Sequence, residues 1–311
     1  MRVGVIGLGD IARKAYLPVL ANLPGVTPVL VTRDPRTLAS VGDAYRLPAR
    51  FTSVDDAIAS GLDAAMVHTP SLTHPAIVAQ LLGHDVPVLV DKPLATDHAT
   101  ARDLAELAAQ RHVSLMVGFN RRYAPAYQAL AQWDDRDVVT LHKHRAAAPG
   151  LPRAMVFDDF IHVIDTLRFL VPSTMSDLVI ATSGDHGRCR RLAVQFTGAG
   201  RLAIGVMSWT AGLTHEVLDV IGDGRRRQVT DLADVVDLVG SERLTRRDGW
   251  APVTGLRGFS AMCDHFLTAV REGRVLDPVD ALATHEVCER VVHAAQRGQD
   301  PTGPPAGQRA R

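Results

Sequence analysis

The chain predicts a doubly wound, parallel α/β domain followed by an α+β domain whose sheet is built from hairpins. Three observations predict it. An apolar strand at the N-terminus runs through a glycine turn into a helical pattern; strand and helix patterns alternate from residue 2 to residue 120; and from Asp137 onward the alternation becomes period two between turn residues.

The first stretch, Arg2 to Ala12, reads RVGVIGLGDIA. Val3, Val5 and Ile6 form a buried strand, and Gly7, Gly9 and Ala12 follow in GxGxxA spacing. Gly7 allows the tight turn, Gly9 lets the backbone approach a pyrophosphate, and Ala12 is small enough for the helix to lie on the strand. The amides of Asp10, Ile11 and Ala12 at the helix start then face the phosphates. Strand, glycine turn and helix in this order are a Rossmann dinucleotide-binding unit.

Composition narrows the function. At 311 residues the chain is long enough for two cores, and its 34 basic residues balance 34 acidic ones. No net field draws it to nucleic acid or an anionic membrane, so a small-molecule partner is expected. Cys189, Cys263 and Cys288 lack CxxC spacing, which argues against a disulfide framework or a zinc cluster. With the first strand at the very N-terminus and no long apolar run, neither a signal peptide nor a membrane span is read, and a cytoplasmic location is expected. Only Lys14, Lys92 and Lys143 are lysine among the 34 basic residues, so a retained lysine invites a chemical explanation.

The second strand, Val26 to Val31, ends in Thr32, Arg33, Asp34 and Pro35. An NAD-binding unit places an acid here for the ribose 2′-hydroxyl. A hydroxyl with a guanidinium suits a 2′-phosphate instead, so NADP is favoured over NAD, with Arg36 as a second phosphate contact. Asp34 and Pro35 read as the cap and first turn of the next helix, and Ser53 with Asp56 as a capping-box-like pair. Ala64 to Val67 is a buried strand ending in HTPSLTH, where Thr69, Pro70 and His74 are candidates to line the cofactor. The strand Val86 to Val90 delivers Asp91, Lys92 and Pro93 to the same rim, and Lys92 is the candidate catalytic and substrate-binding residue, placed beside the cofactor. A helix over Thr96 to Arg111 and a strand over Val113 to Gly118 complete the domain, before a helix over Pro125 to Trp133 leaves it.

GLGDIA at 7–12, HTPSLTH at 68–74, DKP at 91–93, GFNRRY at 118–123 and DDFIHVID at 158–165 stand in one order and spacing that resembles the Gfo/Idh/MocA family, the glucose-fructose oxidoreductase and inositol dehydrogenase group. The resemblance implies a Rossmann domain over 1–122 and a second domain over 123–297 on an open, mostly antiparallel sheet. It also implies NAD(P)-dependent oxidation or reduction of a sugar, cyclitol or related polyhydroxylated compound, and a homo-oligomer formed through that sheet. Two positions depart from the family pattern. Asp91 stands where glutamate is usual, and Asp158 is followed by Asp159 and Phe160 rather than leucine and glycine, which reshapes the pocket floor.

Asp158, His162 and Asp165 fall at i, i+4 and i+7, one stripe of a helix otherwise covered by Phe157, Phe160, Ile161, Val163 and Ile164. A buried polar stripe needs a reason. Oxidising an alcohol of pKa ~16 requires a base; an unperturbed imidazole titrates near neutrality, so His162 can serve, with Asp158 to orient the ring. Lys92 can stabilise the developing alkoxide, and Asp165 completes the stripe as a substrate contact. His142 and His144, two apart on one strand face, are further substrate candidates and too few for a metal site. Hairpin strands follow at 177–182, 191–196, 202–209 and 216–221, with a Gly222-Asp223-Gly224 turn, and helices return at 258–271 and 280–295. The glycine- and proline-rich tail, 298–311, reads as disordered. Alternatively, a catalytically weak nucleotide-binding regulator could retain the fold; cofactor binding without turnover on any polyol would distinguish it.

Overall fold

The computed structural model describes residues 1–297, and the tail from residue 298 lies outside them. Packing divides the described chain into two compact units, Met1–Ala129 with Asp248–His285, and Leu130–Arg247 with residues 286–297.

The first unit holds six parallel strands: β1 (Arg2–Ile6), β2 (Thr27–Val31), β3 (Arg50–Phe51), β4 (Ala64–Val67), β5 (Val88–Asp91) and β6 (Leu115–Gly118), in the order β3-β2-β1-β4-β5-β6. The order reverses between β1 and β4, the switch point at which open α/β sheets form a crevice. Val3, Val5, Val29, Leu30, Met66 and Leu89 are fully buried, as strands covered on both faces must be. Helix starts are set locally: Asp34 accepts from the amides of Arg36 and Thr37 ahead of Pro35, and Ser53 accepts from those of Asp55 and Asp56. The two-residue β3 carries too short a signal to be read in advance.

Chain order places everything from 123 to 297 in the second domain, and the structure corrects this by returning Asp248–His285 to the first unit. The helix Phe259–Arg271 buries Phe259, Met262, Cys263, Phe266 and Leu267 in one cluster with Val3, Val5, Tyr16 and Leu20. Its i, i+3, i+4, i+7, i+8 spacing declares an apolar stripe but does not name the core that receives it.

The second unit holds an eight-stranded sheet: β7 (Arg136–Ala146), β8 (Val179–Asp185), β9 (Arg188–Gly198), β10 (Arg201–Ser208), β11 (Thr210–Gly222), β12 (Arg225–Thr230), β13 (Asp234–Val239) and β14 (Ser241–Thr245). Their order is β14-β13-β12-β11-β7-β10-β9-β8, and every neighbouring pair is antiparallel except β7 with β10. The β11–β12 hairpin turns at Gly224, whose φ of +72° suits glycine. The helix Ile161–Leu170 seats on β10 at Gly205, where a Cβ would lie 2.5 Å from Val163 Cγ1 and 2.8 Å from Leu167 Cδ1. Gly205 is level with Leu141 of β7, so Leu141 faces this helix and its neighbours in the strand face away. No helix among the described residues is long and apolar enough to cross a membrane.

The seat at Gly205 is testable. Gly205→Ala should destabilise the protein by about 1–3 kcal/mol through overpacking, read as a lower urea midpoint; an unchanged midpoint would show that the helix does not bear on the sheet there.

Candidate functional site

A groove of about 810 Å³ opens at the carboxyl ends of β1, β2 and β4. Gly7 has φ +90°, and a Cβ on it would stand 2.8 Å from Thr69 N and 2.9 Å from His68 C, so only glycine lets these strand ends meet. Gly9 is the reverse case: a Cβ there would meet nothing within 4 Å, so its bareness leaves room for a ligand rather than for protein. Gly7, Gly9, Thr32, Arg33, Thr69 and Pro70 all line this groove, as the sequence expects. Asp34 lines it too, but its carboxylate is engaged by Thr37 Oγ1 at 2.6 Å and by the amides of Arg36 and Thr37, which hold its pKa below the usual carboxylate range. The carboxylate after β2 is therefore spent on a helix cap.

Other expected cofactor contacts are placed elsewhere. Asp10, Ile11 and Ala12 do not line the groove; Asp10 pairs with Lys14 at 2.5 Å, and Ala12 is buried. Arg36 is exposed and outside the lining. Arg13 lines the groove instead, one turn beyond Gly9, whose carbonyl accepts from the Arg13 amide at 3.2 Å. The helix begins there with a π-helical turn, Ala12–Tyr16.

His74, expected as a cofactor contact, is 1 % exposed and engaged at both ring nitrogens, Nδ1 with Pro93 O at 2.7 Å and Nε2 with Thr69 O at 2.8 Å. It is a loop anchor, with no ring atom left for a ligand. Burial lowers its pKa, against the pull of the two carbonyls, and favours the neutral ring with a single N–H.

Lys92 is half-buried, just past the end of β5 and outside the groove lining. Its neighbours are held on both sides. Asp91 accepts from Tyr16 Oη at 2.6 Å and lies 3.4 Å from His68 Nδ1, whose buried ring stacks on Tyr16 at 3.8 Å between centroids. Burial, then the Asp91 charge, pushes the Tyr16 phenol well above its ordinary range, so it stays a donor. Gly118 makes room for this contact, since a Cβ there would lie 3.0 Å from Tyr16 Oη. On the other side, the Leu94 amide donates to His285 Nε2 at 3.0 Å, while His285 Nδ1 donates to Ala281 O at 2.8 Å. Burial drives the His285 pKa down to about 4, keeping the neutral tautomer that this pair of bonds requires.

In the second unit, Asp158 sits in a π-helical turn, Val156–Phe160, that leads directly into the helix bearing His162 and Asp165. The π turn alters the register, so the expected buried stripe becomes a gradient: Asp158 is exposed, His162 half-buried and Asp165 buried. Asp159 ties this turn to the sheet, accepting from Lys143 Nζ at 3.2 Å, Arg145 Nη2 at 2.5 Å and Trp209 Nε1 at 3.1 Å. Burial raises the Asp159 pKa, but Lys143 first and then Arg145 and Trp209 outweigh it and bring it to about 2.

His142 and His144, expected as substrate contacts, lie on the face of the sheet turned away from the helix that carries His162. Lys143 and Arg145 turn to the face that carries Asp159, and period-two alternation sends His142 and His144 to the opposite face. There their rings stand 5.9 Å apart, and His144 Nδ1 accepts from the Ser208 amide. Sequence reasoning missed Arg13, Tyr16, His68 and His285. His68 at least ends a strand at the switch point, whereas Tyr16 and His285 lie within helices and carry no local signal.

Comparison with known proteins agrees with this architecture. The model of an oxidoreductase family with an NAD-binding Rossmann fold, GFO_IDH_MocA, matches residues 1–119, and that of a YceM-like C-terminal domain matches residues 125–237. The chain is 33% identical over 305 residues to a putative oxidoreductase YceM of Salmonella typhimurium, covering 96% of this chain and 97% of that one. It is 27% identical to inositol 2-dehydrogenase 1 of Mycolicibacterium vanbaalenii, covering 96% and 93%. A crystal structure of a Gfo/Idh/MocA family oxidoreductase from Vibrio cholerae superposes with a TM-score of 0.90 at 32% identity, over 96% of this chain and 99% of that one.

Asp159 supplies a pH signature. Its folded pKa of about 2 lies below the ordinary aspartate value of 3.8, so its stabilisation is present above 3.8 and is lost as pH falls from there through about 2. Acid unfolding of Asp159→Asn should be shallower than wild type across that window, and parallel curves would show that the carboxylate is not the titrating tie.

Proposed function

Because the chain belongs to the Gfo/Idh/MocA family of NAD(P)-dependent oxidoreductases, we propose that it transfers a hydride between NADP and a carbinol or carbonyl carbon of a sugar, cyclitol or similar polyhydroxylated small molecule. The observation that carries the cofactor choice is the end of β2, where Thr32 and Arg33 line the groove while Asp34 is spent on its helix cap. A ribose 2′-hydroxyl finds no free acid at that strand end, and a 2′-phosphate finds a hydroxyl and a guanidinium. Gly9 leaves space for the pyrophosphate, so the residues present fit a dinucleotide. The substrate class draws support from the inositol 2-dehydrogenase relative.

A bound nicotinamide dinucleotide supplies the hydride acceptor or donor. The chain supplies the rest. Lys92 donates a hydrogen bond to the substrate oxygen as it gains alkoxide character. His162 receives the hydroxyl proton in oxidation and returns it in reduction, with Asp158 supporting the charged ring and Asp165 behind it. Thr69 and Pro70 shape the cofactor wall. The open outer face of the eight-stranded sheet, with His142 and His144, serves self-association rather than substrate binding.

Nicotinamide absorbance with a panel of sugars, cyclitols and their ketones tests this reading: turnover with NADP(H) is expected, and cofactor binding without turnover on any of them would overturn it. Lys92→Ala and His162→Ala should each lower kcat by roughly 10²–10⁴ with cofactor affinity nearly unchanged; unchanged turnover in either variant would remove that residue's role. Arg33→Ala should weaken NADPH roughly 10- to 100-fold, the worth of one charge-assisted contact, and spare NADH; an equal loss for both would sink the 2′-phosphate argument.

A further inference from the structure

We propose that His74 and His285 are positioning residues that fix the backbone on the C-terminal side of Lys92, His74 through the Pro93 carbonyl and His285 through the Leu94 amide.

β5 ends at Asp91, so no strand ladder serves the peptide groups that follow it. Pro93 and Leu94 are nonetheless buried, and buried backbone groups must find partners. Two imidazoles provide them from distant parts of the chain. His74 opens the helix His74–Gly83, 19 residues before Pro93, and meets its carbonyl at 2.7 Å. His285 lies in the helix Val279–Arg297, 191 residues beyond Leu94, and accepts its amide at 3.0 Å. Both rings are fully enclosed, at 1% and 0% exposure; the second nitrogen of His285 donates to Ala281 O, and that of His74 faces Thr69 O, the two carbonyls around His74 sharing its one N–H. On the other side of Lys92, the carboxylate of Asp91 is held by Tyr16 at 2.6 Å.

Lys92 therefore sits between two anchored peptide segments, and its side chain departs from a backbone with little freedom. A rigid ring on a helix fixes a backbone atom better than water would, because its own rotamer is locked by packing. Rigidity matters for this residue because a group displaced by an ångström loses much of its effect on a reacting atom. The inference rests on the assignment of Lys92 to the substrate oxygen, but its test reads Lys92 itself and needs no turnover.

Lys14, Lys92 and Lys143 are the only lysines in the chain, so reductive methylation with ¹³C-formaldehyde labels three lysines and the α-amine, and Lys92→Arg identifies the Lys92 signal. His285→Leu keeps the bulk and removes the acceptor; His285→Gln keeps an acceptor. In His285→Leu the Leu94 amide should exchange with deuterium at least about tenfold faster, and the Lys92 titration midpoint should move by about half a pH unit or more as its surroundings loosen. His285→Gln should restore both toward wild type. A histidine that merely stabilises the fold would lower the melting temperature and leave the Lys92 titration in place. The proposal is overturned if the folded His285→Leu protein shows wild-type Lys92 titration, whatever its exchange rate, or if Lys92 shifts while Leu94 protection is unchanged. Should His285→Leu fail to fold, His74→Leu, which removes both ring nitrogens, is read by the same Lys92 midpoint and by exchange across 91–95, with the same outcomes deciding.

Discussion

The contact on which the first unit depends is the close approach of Gly7 to the backbone at His68 and Thr69. No side chain fits there, since a Cβ on Gly7 would lie 2.8 Å from the Thr69 nitrogen. The bare α-carbon lets the ends of β1 and β4 meet at the point where the strand order reverses, and the groove forms above that meeting. The same contact reaches further than the cofactor. Thr69 O accepts from or braces His74, and the other nitrogen of His74 meets Pro93 O. One imidazole thus joins the glycine turn to the loop that carries Lys92, so the part of the chain that fits phosphates and the part assigned to chemistry share a fixed reference.

The second unit solves a different problem, the burial of charge beside the helix Ile161–Leu170. Asp159 and Lys143 leave water together, the partly exposed Arg145 reaches in to the same carboxylate, and the Trp209 indole completes the shell. A buried carboxylate is tolerated only with partners of this kind. Its effect is to pin the π-helical turn that presents Asp158 and leads to His162. Both π-helical turns of the described residues, Ala12–Tyr16 and Val156–Phe160, stand at segments that the sequence marks for function. An extra residue in a helical turn redirects side chains without breaking the helix, which suits places where geometry serves a ligand rather than the core.

Much of this was legible in the residues. The strand, glycine turn and helix at the N-terminus, the cap at Asp34 and the cap at Ser53 all obey local rules, and the structure carries each where local chemistry puts it. Thr32, Arg33, Thr69 and Pro70 were legible as groove residues because they follow strands directly. His142 and His144 misled because a strand's alternation says that two residues share a face but not which face the helix covers. His74 misled because a histidine after a strand looks the same whether its ring meets a ligand or the backbone of another loop.

Short-range chemistry alone settles the order of elements, their caps and the glycine turn, because φ, ψ and the first hydrogen bonds depend on neighbours within a few residues. Only the folded chain decides that Phe259–Arg271 packs on the first sheet, that Tyr16 and His68 flank Asp91, and that His285 receives the Leu94 amide. Those contacts span from 23 to more than 200 residues, and no residue in them advertises its partner. An apolar stripe or an imidazole is specific in what it needs and silent about who supplies it, and packing in three dimensions makes that choice.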